Sequence, residues 1–239
     1  DNIIAAKLPL AGVHWRVLAD VRAEEARATR MAAGLPGDFL RRTPQLTMEQ
    51  FHAFRDERPK EERWELIDGV PMMMPPPTVV HIRIARNLET LLNIRLGTVK
   101  PEWQADREVG VLLEGDEKYN PEPDVTVIDT VVALGQIYVG RFYFVAEVLS
   151  ESDKSAVLEA KLRYYQDHQH NRCVLFVRQD RVEAEQHDRE GASWRPRQLS
   201  GAHEPLTLPD IGTIGRLGDL YKFTPLDPFA PGGIASTDA

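Results

Sequence analysis

Apolar positions along the chain recur with two different periods, and the switches between them mark out the elements. Thr47 precedes Met48-Glu49-Gln50, with Gln50 three residues on, the spacing of a capping box that opens a short helix. In RWELIDGVPMMM (63–74) two strand-like stretches flank Asp68-Gly69, a dipeptide suited to a hairpin turn. Pro75-Pro76-Pro77 then ends pairing, because proline donates no ladder hydrogen bond. Thr78 is placed to cap a helix over about 79–96. Ile84, Leu88, Leu91 and Leu92 share one of its faces; Arg83, Arg86, Thr90 and Asn93 share the other. Strands are expected in REVGVLL (107–113), DVTVID (124–129) and RFYFVAEVLS (141–150). A helix over 155–167 carries a Leu158, Leu162, Tyr165 stripe, and the strand RCVLFV (172–177) follows. RVEAEQHD (181–188) and SWRPRQL (193–199) form a closing hairpin around Arg189-Glu190-Gly191. This order predicts an α/β (α+β) domain, a mixed sheet flanked by helices.

The ends differ from the middle. Residues 1–44 include DVRAEEARATRMAAG (20–34), a good helix composition with too little apolar content for a core of its own. They read as an N-terminal helical arm on a main domain spanning 45–224. Residues 225–239, rich in proline, glycine, serine and alanine, read as a flexible C-terminal tail.

Composition narrows the function classes. With 42% hydrophobic and 28% charged residues over 239 positions, the chain suits an ordinary globular protein with a sizeable core. No apolar run approaches the length of a membrane span, so no membrane partner is expected. Lys and Arg total 29 against 37 Asp and Glu, a net charge of −8. That balance argues against non-specific coating of nucleic acid, which rests on neutralising phosphates with basic residues. It leaves room for an enzyme that meets DNA through a local basic patch and a metal. The single cysteine, Cys173, has no intrachain disulfide partner, and the first residues show no basic segment followed by an apolar secretion core. The expected setting is reducing and cytoplasmic.

Three acids stand inside or at the lip of apolar strands: Asp124 directly after Pro123, Glu147 in FYFVAEVLS, and Glu65 in RWELIDG. A carboxylate in such a place is costly unless paired, hydrogen-bonded or bound to metal. A salt bridge from Glu147 to Arg141 or Arg172 would satisfy one of them. Asp124 and Glu147 on adjacent strands, with a backbone carbonyl, would instead make the hard-oxygen set that Mg²⁺ takes up. Lys161, at the edge of the Leu158 stripe, is positioned to reach towards Glu147 with its stem packed on the core.

ELIDG, His81 at the start of the next helix, PEPDVTVI, EVLS and K…YY occur in that order. The set resembles the Uma2 family of restriction-endonuclease-like proteins, a branch of the PD-(D/E)XK nuclease superfamily, from about Thr43 to Thr224. The resemblance implies a restriction-endonuclease-like fold and a Mg²⁺-dependent (or Mn²⁺-dependent) DNA endonuclease, with DNA as substrate; a homodimer is compatible with the sequence, which does not set the oligomeric state. It implies metal ligation by Asp124, Glu147 and the carbonyl of Val148. It further implies a catalytic lysine moved from the position of Leu149 to Lys161, and Glu65 completing the metal shell or orienting a water. His81 would approach the site, while Arg83 and Arg86 would contact phosphates.

The chain departs from the family pattern at Val157, where an aspartate is common, and at Val70, where an acid follows the turn. The strand after the helix ends in Arg178-Gln179-Asp180 where an aspartate is usual. The rival reading is a nuclease-fold protein without catalysis, acting as a binding or regulatory module. Convergence of Asp124, Glu147 and Lys161 in one place discriminates between them.

Overall fold

The computed structural model describes residues 45–150 and 153–230. The expected arm (1–44) and residues 231–239 of the expected tail lie outside the described residues. Helix α1 (Met48–Asp56) opens on the capping box: the Gln50 amide donates to the Thr47 hydroxyl and the Thr47 amide to the Gln50 side chain. Strands β1 (Arg63–Ile67) and β2 (Val70–Met74) pair antiparallel around Asp68 and Gly69. Those two residues take φ of 50° and 76°, the left-handed pair that a primed hairpin turn requires. Met73 is 56% exposed, so the methionine run does not pack wholly into the core as its hydrophobicity suggests.

Helix α2 (Val79–Val99) buries Ile84, Ala85, Leu88, Leu92 and Leu96, and Thr78 caps it by accepting the His81 amide. Its opposite face is only partly solvated. The Asn93 side chain bonds both the N–H and the C=O of Ala105 at 2.8 and 2.9 Å. That clamp helps to explain why β3 runs over Trp103–Asp106, ahead of the 107–113 stretch expected from the pattern. Glu108, at φ 60°, breaks that stretch, and only Gly110–Val111 (β4) pairs, in parallel with β6 (Tyr138–Val139).

The main sheet has six strands in the order β10–β9–β8–β7–β5–β3. These are β5 (Val125–Asp129), β7 (Phe144–Leu149), β8 (Cys173–Arg178), β9 (Glu183–Glu190) and β10 (Ser193–Ser200), with β3 at the far edge. Within this sheet only β7 and β8 run parallel, and the crossover between them carries helix α3 (Ser155–Asp167). Side-chain alternation divides the core into two layers. Val125, Val127, Phe144, Ala146, Val148 and Leu175 face α2. Ile128, Val145, Leu149, Val174 and Phe176 face the α3 side with Tyr164 and Tyr165. Pro196 sits opposite His187 in β10, tolerated because that strand is an edge.

The pattern gave no sign of the last part of the domain. Strands β11 (Pro205–Leu208) and β12 (Gly212–Arg216) form a hairpin that runs into a 3₁₀ helix, Leu217–Tyr221. Ile211, Ile214, Leu217, Leu220 and Tyr221 close the α2 layer. Beyond Thr224, Leu226 packs on this layer and Arg216 lies over the Phe229 ring at 4.1 Å, so the ordered domain runs past the boundary expected at 224. Phe223 holds φ 66°, a left-handed conformation costing a bulky residue on the order of 1 kcal/mol.

Asp219 caps the 3₁₀ helix. Its carboxylate accepts the Arg216 amide at 2.9 Å and lies 2.9 Å from Lys222 Nζ. Burial opposes its charge, but the bonds from Arg216 and Lys222 prevail and hold the carboxyl down to about 2. A carboxylate depressed in the folded state stabilises above its unfolded range and loses that contribution as the pH falls towards 2. Asp219→Ala is therefore expected to cost about 1–3 kcal/mol in urea unfolding at pH 7. The cost should shrink between about pH 4 and 2, because the wild type loses the same contribution there.

Candidate active site

Strand register brings the two central carboxylates together. Val125 pairs with Ala146 in the antiparallel β5–β7 ladder, so Asp124, one residue earlier, stands opposite Glu147. Cross-strand partners of this kind hold their Cβ atoms about 5 Å apart on one face. The Val148 amide donates to Asp124 Oδ2 at 2.7 Å, fixing the aspartate against β7. Asp124 Oδ1 lies 2.8 Å from His81 Nε2 on the first turn of α2. That turn is itself anchored: the Thr78 hydroxyl donates to Gln179 Oε1 beyond the end of β8, at 2.7 Å.

Lys161 enters from α3. It is 3% exposed, so the helix buries Ala160, Lys161, Tyr164 and Tyr165, with Leu158 and Leu162 only partly covered. The edge position expected from the stripe is corrected: the lysine lies on the buried face because its charge is met there. Its Nζ is 3.0 Å from Glu147 Oε1 and 2.7 Å from Glu65 Oε2. Glu65 Oε1 accepts the Glu122 amide at 2.8 Å. Glu65 thus joins Lys161 to the 120–123 segment. The arginine partners considered for Glu147 pair elsewhere, Arg141 with Asp129 and Arg172 with Asp210.

Tyr165 belongs to the K…YY motif and to the apolar stripe of its helix, but the sequence assigns it no role in the site. In the structure it is fully buried and its hydroxyl donates to Glu147 Oε1 at 2.6 Å. The signal was its place one turn after Lys161, which puts both side chains on the same strip of α3. Tyr165 and Lys161 both donate to Oε1.

The electrostatics follow from crowding. Burial pushes the Glu147 carboxyl up to about 7; Lys161 opposes this, while Glu65 and Asp124 add to it. Burial alone would lower the Lys161 ammonium, but Glu147 and Glu65 raise it above the ordinary lysine value, so it stays charged. Burial likewise disfavours charge on His81, yet Asp124, with Glu147 and Asp153 behind it, raises its pKa. Burial and the neighbouring Glu147 push the Tyr165 phenol well up, leaving it a firm donor.

Among the described residues no group of three or more histidine, cysteine or acidic side chains is arranged as a metal cage. The donors present are two carboxylates on one face beside a strand backbone. That set suits Mg²⁺ or Mn²⁺, since Mg²⁺ keeps several waters and takes one or two carboxylates from the protein.

Other expectations resolve as follows. Arg83 does not stand free for a phosphate, since its guanidinium donates to the Phe223 carbonyl, while Arg86 is exposed. Val157 packs on Ile67 and Val70, so the departure there serves the core. Cys173 is buried, and burial, with Asp188 beside it, pushes its thiol well up. His168 bonds the Gly140 carbonyl at 2.9 Å and stacks on Phe142.

Residues 48–215 match the family model described as Uma2, putative restriction endonuclease. No curated protein matches the chain. A crystal structure of a putative nuclease belonging to DUF820 from Anabaena variabilis is similar over 74% of this chain and 97% of that chain. Its TM-score is 0.59 at 14% identity, a likeness of fold.

Removing the ammonium strands two buried acids, so Lys161→Met should destabilise the protein by roughly 3–5 kcal/mol in urea unfolding at pH 8. Adding Glu65→Gln should restore part of that loss. Additive effects of the two changes would show that the ion pair is not coupled. Tyr165→Phe, which deletes one hydrogen bond to a charged group, should cost about 1.5–3 kcal/mol in the same assay.

Proposed function

The chain belongs to the Uma2 putative restriction endonuclease family, and from that premise we propose that it is a metal-dependent endonuclease hydrolysing phosphodiester bonds of DNA. Asp124, Glu147 and the carbonyl of Val148 would hold Mg²⁺ or Mn²⁺. The observation that carries the reading is the convergence of Asp124, Glu147 and Lys161, with Lys161 3.0 Å from Glu147 and Asp124 bonded to the next peptide at Val148. Three acids crowd this region against Lys161 and His81, and an added cation offsets the excess negative charge.

When bound, the metal supplies Lewis-acid polarisation of phosphate and activation of water at neutral pH. The chain's own groups do the positioning. Lys161 and Tyr165 fix one Glu147 oxygen, and the other would be offered to the cation. The Val148 amide and His81 orient Asp124, so His81, which was expected to approach the site, acts there as a positioning group. Lys161 also brings a fixed positive charge to a site with little water, where it stabilises the charge that develops on phosphate. Glu65 acts through Lys161 by holding its ammonium in place.

The test is cleavage of supercoiled, linear and single-stranded DNA with Mg²⁺ or Mn²⁺, alongside calorimetric titration with Mn²⁺. Wild type should bind Mn²⁺ and cut, and Asp124→Ala should lose both. Lys161→Met, assayed at a temperature where it remains folded, should lose on the order of 10²-fold in rate. A wild type that binds Mn²⁺ but cuts no form of DNA would leave the non-catalytic reading as the better account.

A further inference from the structure

Phe223 is the one bulky apolar residue among the described non-glycine residues with positive φ; the others are Asp68, Glu108 and Asp210. Strain of this sort at a large side chain is ordinarily offset by burying the side chain. Here the ring is 69% exposed, so the fold gains little from it. The backbone around it is nonetheless tightly held. The Phe223 amide donates to Asp227 Oδ2 at 2.9 Å, and its carbonyl accepts from Arg83. Asn87 donates to the carbonyls of Leu220 and Lys222, each at 2.9 Å. The Tyr221 hydroxyl donates to the Arg178 carbonyl at 2.7 Å, and Thr224 folds back onto the Tyr221 carbonyl. The turn is stapled on both sides while its aromatic side chain projects into solvent.

The same staples tie the turn to α2 and to the end of β8, two elements that border the candidate active site. Arg83 follows His81 by two residues on α2, and His81 touches Asp124. Arg178 pairs with Leu149, two residues beyond Glu147 on β7. Arg86, exposed and three residues after Arg83 on the same helix, offers a positive charge on that outer flank. An exposed ring on a fixed backbone, close to a phosphate-handling site and beside a free guanidinium, is what a protein uses to stack a nucleic-acid base while the charge meets its backbone.

We propose that Phe223 is a stacking platform for an unpaired base of the DNA strand, a few nucleotides from the bond to be cut. The proposal rests on the endonuclease reading above and adds a substrate class to it: DNA that is single-stranded or splayed open at the site. A base within an intact duplex has both faces covered by its neighbours and has none to offer the ring.

The test is fluorescence anisotropy of the full chain with a labelled single-stranded oligonucleotide and with a duplex of equal length, in EDTA so that no strand is cut. Wild type should prefer the single strand. Phe223→Ala should weaken single-strand binding by about 5- to 150-fold, the range of one base–aromatic stack, with little effect on duplex. Phe223→Trp should retain binding, and its added emission should change as the oligonucleotide saturates the site. Phe223→Gly removes the ring and relieves the left-handed backbone, so it should bind as weakly as Phe223→Ala with a Tm equal to or above wild type. Phe223→Ala binding as tightly as wild type overturns the stacking role alone. Equal losses for single strand and duplex overturn the unpaired-base assignment. A wild type that neither binds nor cuts any DNA overturns the endonuclease reading, and this one with it.

Discussion

An ammonium group taken out of water between two carboxylates organises this domain. Lys161 joins α3 to β7 through Glu147 and to the β1–β2 hairpin through Glu65, so one charge ties three elements. Such an arrangement gives no cheap stability, because every member has lost its hydration. What it supplies is a fixed geometry: the side chains have few alternative rotamers that keep the ions paired. The hairpin would otherwise be a two-stranded ribbon, marginal alone. Its attachment to Lys161, with the Phe54 and Trp64 contact of 4.8 Å beneath it, makes it part of the domain.

Sheet topology does the remaining placement. Because β5 runs antiparallel to β7, the start of one strand meets the end of the other, and Asp124 and Glu147 become neighbours. Because β7 and β8 are parallel, the chain must cross over between them, and α3 is that crossover. The lysine therefore arrives from the layer that covers the Glu147 face. Helix α2 covers the opposite layer and reaches the same place from its first turn, bringing His81. Two layers thus contribute to one cluster at the end of a strand pair, where side chains from both meet without crossing the sheet.

Much of this was legible in the residues. Thr47, Asp68-Gly69 and Thr78 are local signals, and each does what its chemistry predicts. The family membership follows from five short motifs in order, and the family model covers the same region. The depth of Lys161 was hidden, because a helical stripe read by hydrophobicity places a lysine at the edge whenever its partners lie far off in sequence. Glu65 is 96 positions away and on another element. The Asn93 clamp on Ala105 was hidden for a similar reason: a polar residue on the outer side of a helix looks solvated until a backbone segment arrives to use it. The β11–β12 hairpin escaped notice because its apolar residues are sparse and interrupted by Pro209 and Gly212.

Pro196 has a consequence for how copies of this protein meet. An edge strand is an open template, and a second chain normally extends it through main-chain hydrogen bonds. In the middle of β10 a proline has no N–H to give, and Arg195 and Arg197 flank it with like charges. The other edge, β3, is four residues long. Sheet-to-sheet growth into filaments is discouraged at both ends, so self-association has to be built from side-chain surfaces, which sequence changes tune one residue at a time.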